Sequence, residues 1–355
     1  MIAAKHLANF RALLLILGIG FLSASGLAPT SRASTDLNFS PEETMDFNEL
    51  DDFDGLDDFD DPGDPGDLGD PGDLGDPGDL GDLDELGEKE FQGWGDPPWD
   101  DGGLPSFPIE GEAFENDLGL ILEWIPKGRF YMGSSSGESS ELPVHSVEVE
   151  HGFWIGRFEV TQGQYSDLME SKPSTLVSTD RPVDSVSWED AVAFCEKLNT
   201  EQRRAGKIPR GWSYHLPSEA QWEYACRAGA LGRRYWKPLD DAAWYRHNSF
   251  GRSKEVGQKK ANDFGLYDMM GNLWEWCRDD WYENHEDASG VAEPRKLDGQ
   301  SMRVCRGGSF ASPVEDCRSA VRKACSKTYS SKYLGFRLAL VKDFEVEQPI
   351  AFNRP

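Results

Sequence analysis

The amino-acid sequence predicts an α+β fold, rich in irregular loop, for the part of the chain beyond about residue 117. Three observations carry this: short runs of alternating apolar residues, three helix starts with capping boxes, and a long later stretch without helical periodicity. Leu120, Leu122 and Trp124, then Phe130 and Met132, alternate as half-buried strands do. Val147, Val149 and the run from Phe153 to Val160 continue that pattern. Helices are expected after Thr161-Gln162-Gly163-Gln164, after Ser187-Trp188-Glu189-Asp190 and after Ser218-Glu219-Ala220-Gln221. Pro217 precedes the third start, and Gly229 stands where that helix should stop. In the second helix Ala191, Cys195 and Leu198 share a face, which makes Cys195 a core residue. Beyond Gly229 the chain is rich in Gly, Asn, Trp and Tyr, and a final strand is expected over Gly335–Leu340.

The 355 residues carry a net charge of −28, unevenly spread. Between Asp36 and Asp101 acids recur and Lys89 is the only base. That balance argues against a nucleic-acid partner, which needs a basic stripe to displace counterions. Lys5 and Arg11, the apolar run Ala12–Leu22 and Ser31-Arg32-Ala33 read as a cleaved signal peptide over 1–33. The run is short for a membrane anchor, and no cysteine follows it for lipid attachment. A secreted or periplasmic protein with no membrane span after signal removal is expected. Residues 34–116 read as a disordered acidic spacer, with Gly-Asp-Pro and Gly-Asp-Leu repeating from Gly63 to Leu83. Collagen shares the glycine period, but stacked aspartates on parallel chains would repel. The domain is expected over 117–345 and a tail over 346–355. Six cysteines at Cys195, Cys226, Cys277, Cys305, Cys317 and Cys325 suggest disulfides in an oxidising compartment, and none are in CxxC spacing.

Several segments resemble the formylglycine-generating, or sulfatase-modifying-factor, family. They are Phe130-Tyr131-Met132-Gly133-Ser134, Phe158-Glu159-Val160-Thr161, Arg181-Pro182-Val183 and Val186-Ser187-Trp188. The block Leu216–Ala225 and the block Gly265–Trp276 follow, then Arg306-Gly307-Gly308-Ser309-Phe310 and Gly335-Phe336-Arg337. One such piece is weak evidence; the whole set in family order is strong. The resemblance implies a loop-rich variant of the C-type lectin fold. It also implies a structural calcium ion held by Asp268, by the carbonyls of Gly271 and Leu273, and by Glu275. Carboxylate and carbonyl oxygens are what calcium prefers. At Asp268 some members of the family have Asn instead.

The family's oxidases hold copper(I) between two cysteine thiolates and convert a target cysteine into formylglycine. Their pattern is Gly-Gly-Ser-aromatic-x-Cys, four residues, then a second Cys. This chain has Ser312 at the first cysteine, and a hydroxyl is a poor ligand for a soft metal. Cys317 has the second spacing counted from Ser309, but falls past the site counted back from Gly335. In an oxidase reading Cys317 and Ser309 would be the catalytic residues and copper the cofactor. The family also ties the third helix to this segment, which implies a Cys226–Cys317 disulfide. Gly133-Ser134-Ser135-Ser136-Gly137 matches a nucleophile elbow by letters only, since no apolar helix follows. His145, His151, His215, His247 and His285 lack the spacing of a metal pair on one element.

Between Phe310 and Leu334 one further pattern stands out. Ser312, Val314, Asp316, Ser326, Thr328, Tyr329, Ser331 and Tyr333 are all residue types reachable from an AAC asparagine codon by changing adenines alone. That is the mark of a segment varied by a diversity-generating retroelement, and Ser- and Tyr-rich surfaces suit binding paratopes. Three functions are therefore open: a calcium-stabilised ligand- or protein-binding or display module without oxidase activity, a copper-dependent oxidase acting on sulfatase cysteines, or a periplasmic tailoring oxidoreductase of the siderophore-maturation type. Fold alone does not choose among them, and the sequence names no ligand.

Overall fold

The structure is a computed structural model, and it describes residues 113–343 apart from 231, 233, 235, 297 and 298. The expected signal peptide, the acidic repeats and the tail after 346 lie outside the described residues. In chain order the strands are β1 (Ala113–Glu115), β2 (Ile121–Ile125), β3 (Gly128–Met132), β4 (His145–Val149) and β5 (Phe153–Gly156). Two helices follow, α1 (Gln162–Met169) and α2 (Trp188–Arg204), then β6 (Trp212–His215) and α3 (Glu219–Arg227). The second half holds β7 (Trp274–Asp280), β8 (Met302–Arg306), β9 (Arg322–Ser326), β10 (Leu334–Gly335) and β11 (Ala339–Lys342).

All three capping boxes form as the sequence predicts. Thr161, Ser187 and Ser218 each accept from the backbone N–H three residues on, and Gln164, Asp190 and Gln221 each reach back to the cap N–H. The third helix ends at Arg227, and Ala228 takes the left-handed cap at φ 44° just before Gly229. Cys195 lies in the core as expected, packed among Phe194, Leu198 and Tyr165. Ahead of residue 117, Ala113–Glu115 pair with Ile121–Glu123 across a turn held by the Asn116 side chain. The run Phe153–Val160 is a strand only to Gly156, whose missing Cβ lets the Phe158 carbonyl approach to 2.8 Å of that position.

Strands β1-β2-β5-β11-β6 form one sheet and β10-β7-β8-β9 a second, with β3-β4 as a separate hairpin. The expected single strand over Gly335–Leu340 is two strands in different sheets. Leu334–Gly335 runs parallel to β7, while Ala339–Lys342 lies in the five-stranded sheet between β5 and β6. The crossing at Phe336–Leu338 plants Arg337 between the sheets. Gly335 permits it, since a Cβ there would meet the Val183 carbonyl at 2.4 Å. Trp154, Trp274, Trp276 and Phe336 fill one core cluster, and Trp222, Phe153 and Met269 the other. No helix among the described residues is long and apolar enough to cross a membrane.

Candidate functional site

The Gly265–Trp276 block folds as a buried turn leading into β7. Asp268 and Asn272 both adopt left-handed backbone, at φ 55° and 56°. Gly271 is required between them: a Cβ there would sit 2.1 Å from the Trp244 carbonyl. Of the expected calcium ligands, Glu275 is already engaged. Its carboxylate accepts from Arg337 Nε (2.6 Å) and Nη2 (2.7 Å) and from Trp222 Nε1 (2.8 Å). Asp268 has capacity to spare. Its Oδ2 accepts from Gly257 N at 2.7 Å, while the buried Oδ1 has no partner. Glu159 is a third buried carboxylate here, accepting from Leu273 N (2.9 Å) and Asn272 Nδ2 (2.6 Å). Burial first, then the charges of Asp268 and Glu275, raises Glu159 well above the carboxylate range. Burial likewise lifts Asp268 to about 6, against the opposing Gly257 hydrogen bond. Three buried carboxylates thus face one guanidinium, and one Asp268 oxygen is left without a hydrogen-bond partner. The set fits calcium through Asp268 and backbone carbonyls. No group of three or more His, Cys, Asp or Glu among the described residues could hold a metal without such help.

The Gly307-Gly308-Ser309 loop lies against this turn, with Phe310 N donating to the Asn272 carbonyl at 2.7 Å. Ser312 is 2 % exposed, and its hydroxyl accepts from Ser309 N at 3.0 Å and lies 3.3 Å from Ser309 Oγ. Cys317 is fully buried, and burial pushes its thiol up to about 12, aided by Asp316 and opposed by Arg234. A hydroxyl pair and a protonated buried thiol do not make the soft thiolate pair that copper(I) requires. The implied Cys226–Cys317 disulfide is not formed. All six cysteines are free and buried, and these two share one apolar cluster as packing side chains.

The expected ligand-binding surface is only partly a surface. Val314 and Thr328 are exposed, and Asp316, Ser326, Tyr329 and Ser331 are half-buried. Ser312 and Tyr333 are interior residues instead; Tyr333 packs on Phe310 with ring centroids 5.2 Å apart. The Ser134–Ser136 turn is a surface loop, as expected.

Two arrangements escape sequence reasoning because their partners are far apart in the chain. Glu219 and Glu223 of α3 face buried arginines: Arg322 Nε and Nη2 each donate to Glu219 at 2.7 Å, and Arg306 bonds Glu223. Arg227 closes on Glu223, and Arg318 clasps the buried Glu141 with two bonds of 2.9 and 2.7 Å. The repeated family blocks around Ser218–Ala225 and Arg306 were the only hint of this pairing. Second, His145 and His285 meet with ring centroids 4.9 Å apart, in a shallow cleft lined also by Asp279 and Arg295.

Among the described residues, two small antiparallel-rich sheets with the β3-β4 hairpin, three helices and long loops pinned by buried polar turns define a C-type-lectin-like domain. A family model, the sulfatase-modifying factor enzyme 1-like domain, matches residues 120–342, and the chain belongs to that family. Among curated relatives it is 29 % identical over 258 residues to the chaperone protein LppX of Paenibacillus barcinonensis, covering 60 % of this chain and 85 % of that one. It is 32 % identical over 251 residues to the formylglycine-generating enzyme of Bos taurus, covering 65 % of this chain and 62 % of the enzyme. Of solved structures, PvdO from Pseudomonas aeruginosa superposes with TM-score 0.60 at 22 % identity, covering 66 % of this chain and 99 % of PvdO. Treponema denticola variable protein 1 does so with TM-score 0.58 at 28 % identity, covering 64 % of this chain and 98 % of that one.

Proposed function

We propose that this chain is an exported ligand- or protein-binding module, stabilised by calcium, that does not make formylglycine. Ser312 carries the reading: it stands where the family's oxidases have a cysteine, and its hydroxyl is spent on Ser309 inside the fold. The remaining thiol, Cys317, is buried and protonated at neutral pH. The likeness to a variable protein at 28 % identity supports display by the segment from Ser312 to Tyr333. Of the residues in that pattern, Val314 and Thr328 are exposed and Asp316, Ser326, Tyr329 and Ser331 half-buried. Export rests on the leader-like residues 1–33, and retroelement origin on the codon pattern. A reverse transcriptase gene and a near-copy template beside this gene are the expected genomic signs.

The calcium part rests on the orphaned Asp268 oxygen and the excess of buried carboxylates. Asp268 with the Gly271 and Leu273 carbonyls would hold the ion, with Glu275 kept in place by Arg337 behind it. Bound there, calcium supplies charge balance and pins the turn.

Copper(I) titration against a chelating competitor tests the main reading. The expected result is no stoichiometric complex and no oxidation of a sulfatase-type cysteine peptide. A tight one-to-one complex that disappears in Cys317→Ser would overturn it in favour of the oxidase, the activity named for several relatives.

A further inference from the structure

Beside the Ser309–Ser312 loop lies a patch that the reading above does not use. Phe250 is 84 % exposed and holds a left-handed backbone at φ 58°. For a bulky side chain that conformation costs about 1–3 kcal/mol and persists only where the surroundings enforce it. The enforcement is visible: Ser249 Oγ donates to the Phe310 carbonyl at 2.7 Å, and Arg246 N to the Ser312 carbonyl at 3.0 Å. Lys254 N donates to Asn272 Oδ1 at 2.8 Å. The segment is thus stitched to the loop while the Phe250 ring is held out in water.

The charges around that ring are lopsided. Lys254 Nζ lies 5.2 Å from the Phe250 ring centroid and 5.4 Å from that of Trp244. Partial burial, then Arg252 and Arg181, lowers its pKa. Arg181 Nη1 is buried without a partner, and none of these three cations forms a salt bridge with the described residues. Asp180 and Glu255 are their sequence neighbours, but neither carboxylate comes within salt-bridge distance of the three cations, and Glu255 accepts from Gln258 Nε2 at 3.2 Å. Uncompensated cations around an exposed aromatic ring fit an apolar side chain flanked by carboxylates.

This chain contains such a segment. Asp51-Asp52-Phe53-Asp54-Gly55-Leu56-Asp57-Asp58-Phe59-Asp60-Asp61 sets two phenylalanines among aspartates. Ala113, where the described fold begins, is 52 residues beyond Asp61, a contour of up to about 170 Å, so reach imposes no limit. Tethering also gives the segment a local concentration on the order of millimolar, which favours it over a free competitor.

We propose that the Phe250–Arg252–Lys254–Arg181 surface docks the Asp51–Asp61 segment of the same chain. Phe53 or Phe59 packs on Phe250, and neighbouring aspartates meet Arg252, Lys254 and Arg181. Zero-length carbodiimide coupling of the full chain, followed by peptide mapping, tests this. The expected amide links Lys254 to an aspartate of Asp51–Asp61 within one chain. Its yield should exceed that at other exposed lysines such as Lys172 by about fivefold or more, and fall to that background in 0.5 M salt, where screening shortens to about 4 Å. Phe250→Ala, an exposed substitution checked for an unchanged melting temperature, should lower the Lys254 yield several-fold. Coupling spread evenly over the exposed lysines would overturn the proposal. So would a Lys254 amide that joins two chains, which would make a second copy the occupant. Neither outcome depends on copper or calcium, so this inference and the binding-module reading fail separately.

Discussion

At the scale of single residues, the chemistry is decided by which buried polar atoms lack a partner. Asp268 is the clearest case, because burial lifts its pKa from 3.8 to about 6. In the absence of a cation, its contribution is favourable below pH 4 and is lost as pH rises through about 6, since ionising it in the fold is unfavourable. The shift corresponds to about 3 kcal/mol of stability forgone at pH 7. With a chelator present, Asp268→Asn should therefore melt higher than the parent at pH 7 and equal to it near pH 4. With calcium the order at pH 7 should reverse. Equal melting temperatures at every pH and calcium level would remove Asp268 from the site. The thiols give a second residue-scale prediction: with all six buried, a thiol reagent should find almost none in the native protein and six after denaturation. Asp268 and Glu275 were legible as a pair from spacing within one block. Glu159 was not, because it reaches the turn from more than a hundred residues away.

At the scale of elements, the three capping boxes were legible because a cap is local: four residues contain both hydrogen bonds. Their weights differ for a tertiary reason. Ser218 Oγ accepts from Gln221 N and also donates to the Ala292 carbonyl at 2.8 Å, fixing the loop after β7. The Thr161 hydroxyl serves only its own helix. Loss of a cap alone costs about 1 kcal/mol, so Thr161→Ala should cost about that in chemical denaturation. Ser218→Ala should cost about 2 kcal/mol, because the buried Ala292 carbonyl is left unpaired as well. Strand ends were less legible. The Gly335–Leu340 run reads as one strand because its apolar residues are continuous. It divides because Arg337 must turn inward to Glu275, and a guanidinium cannot sit in a ladder facing apolar neighbours.

At the scale of the whole molecule, buried ion pairs fasten α3 to β8 and β9, and Glu141 of the 139–141 turn to Arg318 in the loop between those strands. Burial alone would raise Glu219, but Arg322 and Arg306 more than offset it and hold the group near 2. Its contribution is present above the unfolded value of 4.5 and disappears as pH falls through about 2. Acid unfolding should accordingly set in below pH 4 and shift to higher pH in Arg322→Gln, as followed by tryptophan fluorescence. Arg306→Met should cost about 3–5 kcal/mol, because Glu223 is left as a buried charge beside Arg227 alone. If Glu223→Gln on that background restores part of the loss, the penalty is electrostatic; no restoration would assign it to lost packing.

The sequence by itself determined the local features: the helix starts, the alternating strands, the Gly271 turn and the serine at position 312. Each is settled within a few residues, by capping geometry, side-chain period or residue chemistry. Only the tertiary structure decided which charges meet, that Ser312 and Tyr333 are interior, that Cys226 and Cys317 are separate thiols, and that Phe250 stands exposed among unpaired cations. Those facts depend on contacts between distant parts of the chain. Burial changes the energy of a charge or a thiol by several kcal/mol, and burial is a property of the packed molecule rather than of any segment.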